Sequence, residues 1–286
     1  MLKNEKIFYS GELLDRMTAA FTAHNMEQAQ AEAVAIISEL LDCNRVMAQL
    51  DRKRQLTPEL WARGLEIIER RLHNEPWQYI FQRAYFRDLT LKVTPAVLIP
   101  RPETEILVDW CIDILPEGGK VLDLGTGSGA IALSVATERP DARVTACDVS
   151  RDALAVAAEN AQNTAPGRVW WVESDLFSDL QGEKFDLIAA NLPYVTENEH
   201  LELSPEVRLF EPKLALTSGE DGLELIRKTV VQAAGHLSPH GAIILEMSSS
   251  QTGTVAELFC ETLQYCAIEI IKDYTQRDRF VAARLR

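Results

Sequence analysis

From Lys120 onward the chain alternates short apolar runs with stretches of helical period, and this alternation constrains the fold more than any other feature. Residues 121–124, 143–148, 169–173, 185–190 and 242–247 read as strands. Helices are expected over 130–137, 153–163, 223–234 and 254–263. Two further strands, 267–271 and 280–284, close the chain. The strand segments are nearly continuous apolar runs, as in strands buried on both faces. Strands and helices in this order predict a parallel sheet with helices on both sides. In such open sheets ligands bind outside the carboxyl ends of the strands.

That edge carries the residues with chemistry. The first strand hands over to a helix through Gly125-Thr126-Gly127-Ser128-Gly129, a loop that lets a ligand approach the backbone. Taken alone it is a weak signal. The spacing is G-x-G-x-G, not the dinucleotide G-x-G-x-x-G, and no Lys-Ser or Lys-Thr follows to make a Walker phosphate loop. Asp148 ends the second strand, where an acid can accept both hydroxyls of a ribose; an Asp at a strand end is also a common turn former. Asp175 follows the third strand, placed to meet an adenine amino group. Asn191 follows the fourth.

Asn191-Leu192-Pro193-Tyr194 ends that fourth strand in a way packing does not require. The Asn oxygen and a nearby carbonyl can accept both hydrogens of one planar NH2. Pro193 holds Leu192 extended, which fixes the direction of its carbonyl. Tyr194 offers a flat face for a planar group. The competing reading is an Asn-Pro turn.

Composition narrows the setting. The 286 residues suffice for one large domain or two modest ones. A net charge of −14 makes the chain a poor non-specific binder of nucleic acid. The charged start Met1-Leu2-Lys3-Asn4-Glu5-Lys6-Ile7 lacks an apolar signal core, and no apolar run approaches the ~20 residues of a membrane span. Cys43, Cys111, Cys147, Cys260 and Cys266 are scattered without CxxC spacing; they read as buried free thiols of a reducing compartment. The five histidines form no metal-like cluster, so no metal site is expected.

Residues 10–73 read as wholly helical, with Leu13, Leu14, Met17 and Phe21 at helical spacing and Thr57-Pro58-Glu59 as a helix start. Domain limits are expected at 1–74 for a helical bundle, 75–100 for a linker with a hairpin turning at Arg87-Asp88, and 101–286 for the sheet domain. The bundle is either a packing module or a docking surface for a macromolecule.

The loop Asp123-Leu124-Gly125-Thr126-Gly127-Ser128-Gly129 resembles the cofactor loop of class I S-adenosylmethionine-dependent methyltransferases. Asn191-Leu192-Pro193-Tyr194 resembles the (N/D)-P-P-(Y/F) signature of enzymes that methylate planar nitrogens. Ile99-Pro100-Arg101-Pro102-Glu103-Thr104-Glu105, the helical module, Trp77-Gln78-Tyr79, Phe210-Glu211-Pro212 and Arg277-Asp278-Arg279 extend the likeness across the chain, to the PrmC (HemK) family. Those enzymes methylate N5 of the glutamine in the Gly-Gly-Gln motif of peptide chain release factors.

The resemblance implies an α/β fold: a Rossmann-like methyltransferase sheet with an N-terminal helical domain and a β-hairpin linker. It implies S-adenosyl-L-methionine as cofactor, release factors as partners, and a cytoplasmic monomer bound to neither membrane nor nucleic acid. Carried over, Gly125, Thr126, Gly127, Ser128 and Gly129 cradle the methionine part of the cofactor. Asp148 holds the ribose, and Asp175 and Leu176 border the adenine. Asn191 touches cofactor and substrate, while Leu192, Pro193 and Tyr194 shape the glutamine pocket. The chain departs from the family at Leu192 (for proline), at Leu176 (for a Trp of some relatives), and at Ser248 and Gln276 (often glycine). Three rival readings remain open: an N6-adenine methyltransferase acting on rRNA or DNA, a nicotinamide-dependent oxidoreductase, and a catalytically silent binding module.

Overall fold

The computed structural model describes residues 7–286. The charged start read for its lack of a signal core lies, as far as Lys6, outside the described residues. The chain divides into two compact units between Phe81 and Gln82.

The first unit contains β1 (Phe8–Tyr9), α1 (Ser10–Ala23), α2 (Ala29–Leu40), α3 (Arg45–Leu50), β2 (Gln55–Leu56), α4 (Pro58–Leu72) and α5 (Trp77–Phe81). Thr57 caps α4 by accepting the Leu60 N–H at 3.2 Å, and Pro58 opens the helix where no N–H is needed. Leu13, Met17 and Phe21 of α1 pack with Ile36 and Ile37 of α2 and Ile67 of α4. The wholly helical expectation is corrected at one point: β1 pairs antiparallel with β2, Phe8 opposite Leu56. Strands of two residues carry no period that a sequence could display. The aromatic stretch expected to start a linker divides, because Ile80 of α5 joins the core of this first unit.

The second unit opens with β3 (Ala84–Phe86) and β4 (Leu89–Leu91), an antiparallel hairpin turning at Arg87-Asp88. Then follow α6 (Thr104–Ile114), β5 (Lys120–Leu124), α7 (Ala130–Glu138), β6 (Arg143–Asp148), α8 (Arg151–Thr164), β7 (Val169–Glu173) and β8 (Phe185–Ala190). After β8 come two short helices that the sequence pattern did not indicate, α9 (Glu197–Glu202) and α10 (Pro205–Phe210), and a 3-10 turn (Lys213–Ala215). The chain ends with α11 (Glu224–Ala233), β9 (Leu237–Glu246), α12 (Thr252–Glu261), β10 (Tyr265–Lys272) and β11 (Asp278–Leu285).

Seven strands form one sheet in the order β10-β11-β9-β8-β5-β6-β7. Its faces alternate as the continuous apolar runs require. Val121, Val144, Leu187 and Ile244 point to one core with α6 and α7. Leu122, Ile188, Ile243 and Leu245 point to the other with α11 and α12. The sheet is mixed, not wholly parallel, because β11 runs antiparallel to β9 and β10. Residues 273–277 between β10 and β11 are too few for a crossover, which needs roughly a dozen residues. A second correction concerns the thiols: Cys111 and Cys147 are buried, but Cys260 and Cys266 are exposed. Cys266 lies on β10, the sheet edge, which has an outward face to spare.

The consequence for function is positional. From β5 the chain winds outward through β6 to β7, then returns to place β8 on the other side of β5. The crevice at that reversal is where such sheets bind ligands.

Candidate functional site

A cavity of about 530 Å³ opens at the carboxyl ends of β5, β6, β7 and β8, within the roughly 300–1,000 Å³ typical of small-molecule sites. Its wall includes Gly125, Thr126, Gly127, Ser128, Asp148, Asp175, Leu176, Asn191, Leu192 and Pro193. Of the residues expected at the site, Gly129 and Tyr194 are not part of the wall.

Gly125 has φ of 76°, and a Cβ there would come to 2.9 Å from Leu192 Cδ2. Only glycine meets both demands. Gly127 has φ of 56°, and a Cβ there would meet nothing within 4 Å, so the backbone faces open space. The loop is braced from below and from the side. Gly125 and Thr126 donate their N–H groups to the Cys147 carbonyl, both at 2.9 Å. Gly127 N–H donates to Asp148 Oδ2 at 2.9 Å, and Ser150 N–H donates to Asp148 Oδ1 at 2.9 Å. Asp148 is thus oriented by the loop it serves. Burial raises its carboxyl above the ordinary value, against the pull of these N–H bonds.

Asp123 lies on the opposite face of β5 from Leu124. Its Oδ2 accepts the Thr126 hydroxyl at 2.6 Å and the Ala132 N–H at 3.0 Å, tying loop to helix α7. Burial pushes this carboxyl up to about 7. Leu176 holds φ of 51°, an uncommon state for a branched side chain. Its carbonyl accepts the Ser174 hydroxyl at 2.8 Å, which fixes the turn that brings Leu176 to the wall.

Asn191 leaves β8 half-buried. Its Nδ2 donates to Thr104 Oγ1 at 3.1 Å. Tyr194 packs against the core on the α11 side, and its carbonyl accepts Gln251 Nε2 at 3.0 Å.

The pattern reading missed the rest of the wall. Pro95, Ala96, Val97, Leu98, Pro100 and Arg101 form a strap along it, and Pro212, Leu214 and Ala215 close another side. Glu211 joins the two. Its Oε1 accepts from Arg101 at 2.7 Å and its Oε2 from the Ile99 N–H at 3.3 Å. Two motifs over a hundred residues apart thereby form one rim, and the stiff proline spacing of 98–102 was the only local signal for it. Among the described wall residues the carboxylates are Asp148, Asp152 and Asp175, and the one cation, Arg101, is already paired with Glu211. Such a cavity suits a positively charged ligand and repels a pyrophosphate.

Comparison with known proteins points the same way. Residues 12–81 match the PrmC N-terminal domain and residues 103–211 the methyltransferase small domain. A release factor glutamine methyltransferase of Geobacter sulfurreducens is 35% identical over 285 residues, 100% of both chains. One from Gloeobacter violaceus is 37% identical over 274 residues, 93% of this chain and 94% of that one. Among solved structures, a methyltransferase from Pyrococcus furiosus shares the fold at a TM-score of 0.53 and 19% identity, over 80% of this chain and 98% of that one.

Proposed function

Because the chain belongs to the release factor glutamine methyltransferase family, we propose that its cavity divides between two reactants. The strand ends hold S-adenosyl-L-methionine, and Asn191 with Leu192 holds the side-chain amide of the glutamine in the Gly-Gly-Gln motif of a peptide chain release factor. The observation that carries this reading is the approach of Leu192 to Gly125: the amide-holding segment lies directly against the loop that faces the ligand. The fit to the cofactor rests on the open space above Gly127 and on the acidic wall, which complements a sulfonium and an ammonium group. Asp148 takes the ribose, and Asp175 and Leu176 border the base.

When bound, S-adenosyl-L-methionine supplies an electrophilic methyl on sulfur, which keeps the C–S bonding pair as the amide nitrogen gains the methyl and then sheds one proton. The protein must make that nitrogen reactive, since its lone pair is delocalised into the carbonyl. Asn191 Oδ1 and the Leu192 carbonyl accept its two N–H bonds, bias it toward pyramidal geometry and stabilise the positive charge that develops there. Pro193 keeps the Leu192 carbonyl aimed. Preorganised dipoles of this kind contribute roughly 3–4 kcal/mol each, and alignment of two bound reactants about 7–11 kcal/mol. No side chain is needed as a strong base, because the proton becomes acidic once the methyl has arrived and can leave to water.

The acidic wall disfavours a nicotinamide dinucleotide. The net charge of −14 disfavours rRNA or DNA as substrate. No described helix is long and apolar enough to cross a membrane. The reading places a monomeric enzyme in the cytoplasm with a release factor as its partner. Incubation with a release factor and S-adenosyl-L-methionine, followed by mass spectrometry, should show one added methyl on the Gly-Gly-Gln glutamine. A methylated rRNA in a parallel incubation, with the release factor untouched, would overturn the assignment.

A further inference from the structure

Glu246 has no task in the mechanism above, yet it is 2% exposed at the end of an otherwise apolar stretch of β9. A carboxyl so buried is costly unless something there needs it. β9 lies beside β8, so Glu246 ends its strand next to the strand end that carries Asn191. Thr104, the first residue of α6, joins the two. Its hydroxyl donates to Glu246 Oε2 at 2.8 Å, and its oxygen accepts from Asn191 Nδ2 at 3.1 Å.

The direction of this chain of bonds follows from counting protons. A threonine hydroxyl has one. Once it is given to Glu246, the Thr104 oxygen can only accept, and only the NH2 end of Asn191 can face it. The Asn191 carbonyl oxygen is then turned away from Thr104. A protonated Glu246 can instead donate to Thr104, which frees the threonine proton to point at Asn191. The carboxamide can then turn over and present NH2 to the incoming glutamine amide, donor against donor.

We propose that Thr104 and Glu246 are positioning residues for methyl transfer: ionised Glu246 takes the Thr104 hydroxyl proton and thereby holds the Asn191 carboxamide with Oδ1 toward the glutamine amide. This rests on the reading that Asn191 accepts from that amide. The neighbourhood leaves Glu246 poised between its two states. Burial pushes its carboxyl up to about 7, helped by Glu103, while the Thr104 hydroxyl, Arg279 of β11 and Arg101 pull it down. Arg279 is shared with Asp273 at 3.5 Å and Arg101 with Glu211 at 2.7 Å, so neither is committed to Glu246. The Tyr194 phenol, raised by its own burial and then by Glu246, stays neutral. The ionised carboxyl is the active form, so kcat rises with pH through about 7 and falls below it.

The test compares wild type, Thr104→Val, Thr104→Ser, Glu246→Gln and Asn191→Ala, with cofactor affinity measured separately by calorimetry. Thr104→Val keeps the shape and removes the proton; kcat should fall on the order of 100-fold, with cofactor Kd and release factor KM changed less than about threefold. Thr104→Ser should restore most of kcat. Glu246→Gln should lose the rise near pH 7, which would stay in place if Asp123 caused it. Carbon-13 NMR of the Glu246 carboxyl and nitrogen-15 NMR of the Asn191 side-chain NH2 should show the NH2 signal shifting in step with the carboxyl titration in wild type and not in Thr104→Val. A Thr104→Val enzyme within about twofold of wild-type kcat, beside an inactive Asn191→Ala, would overturn the relay and leave the role of Asn191 intact. Turnover retained by Asn191→Ala would overturn that underlying reading instead. Should Thr104→Val fail to fold, an unchanged pH profile in Glu246→Gln would overturn the relay by itself.

Discussion

The two sides of the cavity are built by different means. The side proposed for the cofactor is made of consecutive strand ends: a glycine loop after β5, Asp148 at the end of β6, Asp175 after β7. Each group is placed by the strand that precedes it, and the backbone supplies most of the bonds that fix it. The side proposed for the substrate is made of side chains that hold one another. Asn191 depends on Thr104, 87 positions away in sequence, and Thr104 on Glu246, 142 positions away. A site placed by backbone tolerates loss of one side chain better than a site placed by a chain of side chains. On this view the cofactor side binds and the substrate side reacts, and substitutions should separate affinity from rate.

The largest effect is expected at Asn191→Ala. Turnover should drop on the order of 10²–10³-fold, the cost of removing one preorganised acceptor from a developing charge, with cofactor affinity only modestly weaker. A parallel collapse of cofactor affinity in calorimetry would erase the proposed separation. Asp148→Asn comes next and should act in the opposite sense. It removes a charge and leaves one acceptor for two N–H donors, Gly127 and Ser150. A charged hydrogen bond is worth about 1.5–3 kcal/mol, so cofactor Kd should rise by roughly 10–100-fold while kcat at saturation holds. A loss confined to kcat would contradict it.

How far each side could be read in advance follows from the same contrast. The strand ends were legible because Leu122, Leu124, Ile188 and their neighbours form apolar runs whose ends are marked by Gly125, Asp148 and Asn191. The antiparallel β11 was also legible in principle, since residues 273–277 leave no room for a crossover. Thr104 and Glu246 were not. A threonine opening a helix and a glutamate closing a strand are ordinary in sequence, and their meaning comes only from meeting across the sheet. Cys266 shows the same limit, because its burial depends on which strand becomes the edge, and Cys260 depends on which face α12 turns outward. The rim formed by Arg101 and Glu211 depends likewise on a contact 110 positions apart. Tyr194 was read for a flat face; its half-buried ring packs against the core, and its carbonyl accepts from Gln251.

The sides meet at Gly125, so that residue tests whether they are separable at all. Gly125→Ala adds a methyl at 2.9 Å from Leu192 Cδ2 on a backbone already at φ of 76°. It should therefore disturb both, with kcat and cofactor affinity each falling about tenfold, as strain of roughly 1–2 kcal/mol implies. Gly127→Ala meets no neighbour within 4 Å and should lower cofactor affinity alone. Equal effects of the two variants on kcat would show that the Leu192 contact does not transmit.

The smallest effect is expected where neither side is involved. Gln276 turns the chain between β10 and β11 with φ of 65°, and its N–H donates to the Asp273 carbonyl at 2.9 Å. A left-handed residue costs about 1–2 kcal/mol, and glycine gives back roughly 0.5–1 kcal/mol of that through chain entropy. Gln276→Gly should then stabilise the fold by about 0.5 kcal/mol, near 1–2 °C in Tm for a unit of this size. Both kcat and cofactor Kd should stay at wild-type values. The turn also positions Arg279, which pulls on Glu246 through charge. A shift of the pH profile in this variant would therefore extend the substrate side beyond Glu246 to β11, and make its chain of dependence longer than the three residues drawn so far.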